Sequence, residues 1–479
     1  MKRTMICVCA VVLLAGQRLF ATSVQEISQY GITWKFDKKV EAGQFVTGDW
    51  WVIGPVTVVQ ITPQPGPVET SETVTFKRGR RGSTSLSNNN LMRNGSMVVM
   101  ACSTKQGYDS RSATYDPNLS IKLPYQLEPS QSLISTISNT NFPTEKFAKE
   151  IMWKKEKVCQ VALRAAAVLT CLSAVPPSDA FRPTYVGREK VLYREKDLRW
   201  ELLPKLAPAG DVPSWQDFER YYQRPWLDHL SSYMQQELNP YENQPDYGRE
   251  HARLGSMASL MLSLDVPNEK KRKLLIGLVQ CGLDLSGCAK NGGVWNMGGG
   301  ISSGRKWPIV FASLMLGDPK IIELPATAVF HEDAQTYYGK GWFGQTVLWQ
   351  MVTHHGPRQP YEEKPPEEWG EWDQDSDDYR SLNTSGAWVG EALAARYMKA
   401  VKLWRHDAFF DYMERWMRPD DPFQAARGKH ERPTHETKAL DPFVTAMWKA
   451  HRANAPEQEM SGVRMKWVWK NGKGEWEQN

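Results

Sequence analysis

The chain has 479 residues with 59 Lys and Arg against 54 Asp and Glu, a net charge of +5. That length accommodates two or three domains, and so even a charge balance is not the signature of a nucleic-acid-binding protein. Composition is ordinary for a globular protein except for 20 Trp and 30 Pro. Flat indole rings suit either thick helical cores or platforms for sugar rings.

Residues 1–23 read as a secretory signal. Lys2 and Arg3 precede an apolar core from Met5 to Ala15, and small residues near Ala21 and Ser23 offer a cleavage point. The apolar core is too short to span a membrane, and no later segment reaches that length, so a secreted or periplasmic protein without membrane insertion is expected. Removing Lys2, Arg3 and Arg18 takes +5 to +2. Cys102, Cys159, Cys171, Cys281 and Cys288 remain. With no CxxC pair they are not a zinc set, and buried free thiols are expected. Cys281 and Cys288 share a helical run but sit about 10 Å apart along it, too far to bridge.

Residues 24–140 read as an antiparallel β domain. GITWKF, QFVTGDWWVIG and PVTVVQITP are β-branched and aromatic runs punctuated by Gly and Pro. Residues 141–455 change to helical periodicity. The first run, EKFAKEIMWKKEKVCQVALRAAAVLTCL, is followed by SWQDFERYYQRPWLDHL with Ser214 as N-cap and Pro225 as a kink. Further helical runs include REHARLGSMASLMLSL, EKKRKLLIGLVQCGLDL, PIVFASLMLG, GQTVLWQMV and GAWVGEALAARYM. Paired helices around a ring, an (α/α) toroid or incomplete barrel, are expected, with a site among the long loops at one mouth. Residues 456–479 read as a terminal hairpin or tail around Asn471–Gly472. The fold class expected is α+β.

Four stretches carry candidate chemistry. NGGVWNMGGGISSGRKW places six glycines between Gly292 and Gly304, next to Trp295, Asn296, Arg305 and Lys306. Glycine permits close backbone approach, and the cations beside a helix start suit a carboxylate. The structural alternative is an inter-helix loop with Arg305 in an ion pair. HEDAQTYYGKGW crowds His331, Glu332, Asp333, Tyr337, Tyr338 and Trp342 together, enough for an acid, a base and a stacking surface. YRSLNTSGAW sets Tyr379, Arg380 and Asn383 before a helix, and a neighbouring guanidinium favours a phenolate. DYGREHARLG puts Tyr247, Arg249 and His251 at a helix start. His354–His355 and His430…His435 lack metal-ligand spacing. Asp373, Asp375 and Asp377 alternate as in calcium loops, but the glycine of an EF-hand is absent, so a solvated acidic loop is the stronger reading and no cofactor is required.

In this order the segments GQFVTGDWWVIGPV, GGG…SGRKWPIVFASLMLGD, HEDAQTYY and YRSLNTSGAWVGEALAARYM resemble secreted bacterial alginate and glucuronan lyases, nearest to polysaccharide lyase family 38 with its (α/α) barrel. The resemblance implies β-elimination on an anionic, uronate-containing polysaccharide. It assigns proton transfer to Tyr379 or Tyr337, carboxylate neutralisation to Arg305, Arg380 and Asn383, and stacking to Trp295 and Trp342. Such relatives often carry His where this chain has Ile301 and Ser302, which moves the remaining base role to His251 or His331. A glycoside hydrolase using a pair such as Asp333 and Glu391, and a noncatalytic glycan-binding protein, are the alternatives.

Overall fold

The computed structural model describes residues 21–68, 74–78, 82–86, 92–112, 114–140, 162–230, 238–244, 248–295, 300–351, 360–418, 439–471 and 473–478. The expected leader up to residue 20, Cys159, Tyr247, Asn296 and the pairs His354–His355 and His430…His435 lie outside the described residues.

The first strands are β1 (Thr22–Gln29), β2 (Ile32–Gln44), β3 (Trp50–Ile53) and β4 (Val56–Thr62). After them come β5 (Gly66–Pro67), β6 (Val74–Arg78), β7 (Gly82–Leu86), β8 (Arg93–Asn94), β9 (Ser96–Val98), β10 (Tyr125–Leu127), β11 (Ser132–Ser138) and β12 (Leu163–Leu172). The main sheet runs β10-β4-β2-β3-β12-β11-β9, with β1 also paired to β2, and it curls into a half-barrel. Every contact in it is antiparallel except β3 against β12.

β12 corrects the helical reading of Leu163–Leu172. Along β11 and β12, Leu133, Ala165, Ala167, Leu169 and Cys171 face a core built from strands, while Ile134, Ala166 and Val168 face one shared with the helices. Both faces are therefore buried, and every residue of β12 except Arg164 is inaccessible. A strand buried on both sides loses its alternation and reads as one apolar run, which periodicity cannot tell from a helix.

The helices begin with α1 (Trp215–Gln223), capped by Ser214 Oγ accepting from Asp217 N at 3.3 Å. Arg224 before Pro225 is extended, so the proline ends the helix instead of kinking it. α2 (Arg249–Leu262), α3 (Asn268–Lys290) and α4 (Lys306–Leu316) follow, then the short α5 (His331–Gln335). GQTVLWQMV was expected to be helical, but Val347–Trp349 is strand β14, paired with β13 (Thr336–Tyr338). α6 (Glu371–Tyr379) passes through a π-helical turn, Arg380–Thr384, into α7 (Ser385–Tyr397). α8 (Val401–Trp404), α9 (Asp407–Trp416) and α10 (Pro442–His451) complete the helices among the described residues. β15 (Met465–Lys470) and β16 (Lys473–Gln478) form a hairpin docked beside β13 and α5, and Gln350 Nε2, just after β14, donates to Trp467 O at 2.6 Å.

The expected mainly α toroid following a β domain is therefore overturned. Among the described residues helix accounts for 36% and strand for 24%, and the strands build one large curled sheet, not a cap on a helical ring. The helices pack onto it through one continuous core in which Met97, Ile134 and Val168 join Leu260, Phe311 and Trp388. α2 and α7 cross closely because each contributes a glycine. A Cβ on Gly255 would meet Glu391 Oε1 at 2.8 Å, and one on Gly390 would meet Ser256 Cβ at 2.6 Å.

Candidate functional site

The glycine-rich loop is wedged between the start of α2 and the π-helical turn. Gly300 and Gly304 both have positive φ, and a Cβ on Gly304 would overlap the backbone of Ala252, while one on Gly300 would meet Asn383 O at 2.6 Å. These glycines serve close backbone packing and left-handed conformations together. The loop delivers Arg305 to the start of α4, where it is fully buried.

Arg305 Nη2 donates to Asp228 Oδ1 at 2.9 Å and Nη1 to Ser303 O at 2.6 Å. Asp228 lies on the extended run behind Pro225, and its other oxygen is 3.9 Å from His251 Nδ1 on α2. The His251 ring packs on Trp226 at 4.7 Å. Next to them His229 bonds Tyr108 through Nε2 at 3.1 Å, and burial pushes its imidazole down to about 3.

Two carboxyl groups complete the cluster. Glu332 on α5 accepts from Gly304 N at 2.5 Å through Oε1, and Oε2 is buried with no hydrogen-bond partner. Burial pushes its carboxyl up to about 7, opposed by the backbone N–H groups it faces. Glu391, on α7 against Gly255, has neither oxygen bonded. Burial raises it well above the usual range, the Glu332 charge raises it further, and Arg305 opposes. His331 lies edge-on to Trp388 at 6.4 Å, and Trp388 Nε1 donates to Ser303 Oγ at 2.5 Å. The arrangement holds one proton on Glu391, lets Glu332 exchange one near neutral pH, and fixes a cation beside them.

The other candidate residues are placed elsewhere. Arg380 is buried between Glu362 and Asp377, with Asp377 Oδ1 2.6 Å from Nη2, and Glu362 also binds Arg415 Nη1 at 2.6 Å. Tyr337 donates to Glu363 Oε1 at 2.8 Å, and burial raises its phenol well above the ordinary value. Tyr379 is partly buried at the end of α6, and Asn383, one turn on, packs under Gly300. Lys306 pairs with Asp333, which also accepts from Trp404 Nε1 at 2.9 Å. Tyr338 donates to Asp411 at 2.6 Å. Trp295 is buried and stacked on Phe330 at 5.5 Å, whereas Trp342 is 56% exposed beyond β13. Arg305 and Arg380 thus belong to two separate ion clusters, joined through the contact of Gly300 with Asn383.

The stretch with Asp373, Asp375 and Asp377 is helix α6, not a loop. Asp373 lies 3.5 Å from Lys364, and Asp377 is held by Arg380. Among the described residues no three His, Cys, Asp or Glu groups come together as a metal set.

Sequence reasoning missed Asp228, whose setting in PWLDHL carries no signal, and passed over Glu332 for its neighbours His331 and Asp333. On the short α5 these neighbours point in different directions: Asp333 reaches Lys306 and Glu332 reaches Gly304 N. Searches against protein-family models, curated proteins and solved structures return no match to this chain.

The Glu332 environment predicts a pH dependence. Below about 4.5, its ordinary value, both folded and unfolded chains hold the proton and nothing is lost. As pH rises toward about 7 the unfolded chain ionises first, so the folded chain holds more protons and stability falls. Above that the full cost, roughly 3 kcal/mol, persists. Glu332→Gln keeps an acceptor for Gly304 N, so denaturant melts should match wild type near pH 4 and show greater stability near pH 8. An offset that does not change with pH would show that the carboxyl titrates normally.

Proposed function

We propose that the protein is an exported polysaccharide lyase that cleaves a uronate-containing glycan, of the alginate or glucuronan kind, by β-elimination. What supports the reading is the gathering of two proton-holding carboxyl groups, Glu332 and Glu391, around buried Arg305. The reaction breaks the C5–H bond, turns its electron pair into the C4–C5 double bond and expels O4, which takes up a proton. A proton beside a carboxylate is weakly acidic until fixed cationic donors stabilise the enolate-like intermediate. Arg305 supplies that charge, Glu332 accepts the C5 proton near neutral pH, and Tyr379, one turn before the Asn383 that packs under Gly300, protonates O4.

The electrostatic effect of Glu332 on Glu391 favours a second reading, a glycoside hydrolase in which these two are the acid and its partner. A panel of uronate polymers separates the two. A lyase raises ultraviolet absorbance as the double bond forms. New reducing ends without that absorbance would replace the first reading with the second, and neither product from any polymer would overturn both.

A further inference from the structure

We propose that Cys102 and Cys288 form a cross-linking site, closing into a disulfide when the folded protein meets a disulfide oxidant such as oxidised glutathione. The loop after β9 crosses the C-terminus of α3. Cys102 N donates to Asn291 O at 2.8 Å, and Ser103 N donates to His229 O at 3.1 Å. The Cys102 thiol lies 3.4 Å from Cys288 O, close enough to the Cys288 thiol to help raise it. Tyr185 OH, 3.7 Å from Cys288 Sγ, holds that thiol in place. The backbone bond beside Cys102 and the approach of its thiol to the Cys288 carbonyl bring the two side chains into the neighbourhood that disulfide geometry demands. Cys281, seven residues earlier on α3, is about 10 Å along the helix and cannot substitute.

Access sets the order of events. Cys102 is partly exposed and Cys288 is buried. The Cys102 thiolate attacks oxidised glutathione, giving a mixed disulfide and one glutathione. Cys288 then loses its proton and attacks Cys102 Sγ, releasing the second glutathione. The two protein thiols are oxidised and the oxidant's disulfide is reduced, so electrons and protons balance. Burial raises the Cys288 thiol, so the second step quickens with rising pH. The bond would close a loop of 186 residues and pin α3 just ahead of the glycine-rich stretch that leads to Arg305. The inference rests on thiol geometry and is independent of the proposed activity.

Peptide mapping of the native protein after oxidised glutathione, against a dithiothreitol-treated control, tests it. A peptide pair joining Cys102 to Cys288, two hydrogens lighter than its reduced parts, is expected. Cys288→Ser should instead stop at a glutathione adduct on Cys102. A wild-type protein that keeps the Cys102 adduct without the cross-link, or that forms the cross-link only once denatured, would overturn the proposal. The wild-type map decides even if the variant does not fold.

Discussion

Glu362→Ala is expected to lower folding stability by about 3–5 kcal/mol, measured by denaturant unfolding. Glu362 has no accessible side-chain surface and sits between the guanidinium groups of Arg380 and Arg415. It also accepts from Trp349 N at 3.2 Å, which ties β14 into the same cluster. Removing it takes a carboxylate away from both Arg415, which also donates to Val347 O at 2.8 Å, and Arg380, which also pairs with Asp377. A buried cation stripped of its counter-charge keeps its desolvation cost without the compensating attraction, and that asymmetry makes the loss large. Glu363, the next residue, is the internal control. Its side chain is 37% exposed and its pairing with Lys466 spans 3.5 Å, so Glu363→Gln, which removes that charge but keeps an acceptor for the Tyr337 hydroxyl, should cost about 1 kcal/mol or less. Similar losses for both variants would show that burial is not what makes Glu362 matter.

Arg305→Ala is expected to lower kcat/KM on the cleaved polymer by about 10²–10³-fold, the scale seen when one donor to a developing oxyanion is removed. The single variant also strands Asp228 in the core, so it should be read beside Arg305→Ala with Asp228→Asn, in which the leftover charge is gone. Arg305→Lys keeps the charge but loses the two-pronged geometry that reaches Asp228 and Ser303 O at once, and should fall between. If the double variant folds and turns over at the wild-type rate, Arg305 is a structural residue and the lyase mechanism loses its electrophile.

Much of the local structure was legible. Ser214 capping α1 and the terminal hairpin on Asn471 follow from side-chain chemistry near in sequence. What was not legible depends on partners far away. Leu163–Leu172 looks helical until both of its faces are known to be covered, and Val347–Trp349 becomes a strand because Thr336–Tyr338 lies beside it. The candidate site divides in the same way. The glycine-rich run and Arg305 stood out, but Glu391 is separated from Arg305 by eighty-six residues (391 − 305) and meets it only through the α2–α7 crossing. Arg380 and Tyr337 were chosen for chemistry that a neighbouring guanidinium or loop could confer. Their partners, Glu362 and Glu363, come from a segment that local patterning had marked as solvated.

The one parallel pairing in the curled sheet has a kinetic corollary. Leu169 meets Trp50, 119 residues earlier (169 − 50), so the sheet cannot close until β12, its last strand, has left the ribosome. Once out, the stretch AAAVLTCL keeps its helix-facing side, Ala166 and Val168, uncovered until the later helices pack on it, and such distant pairings form slowly. Refolding yield should therefore fall as protein concentration rises, and a holdase that grips that stretch should restore it.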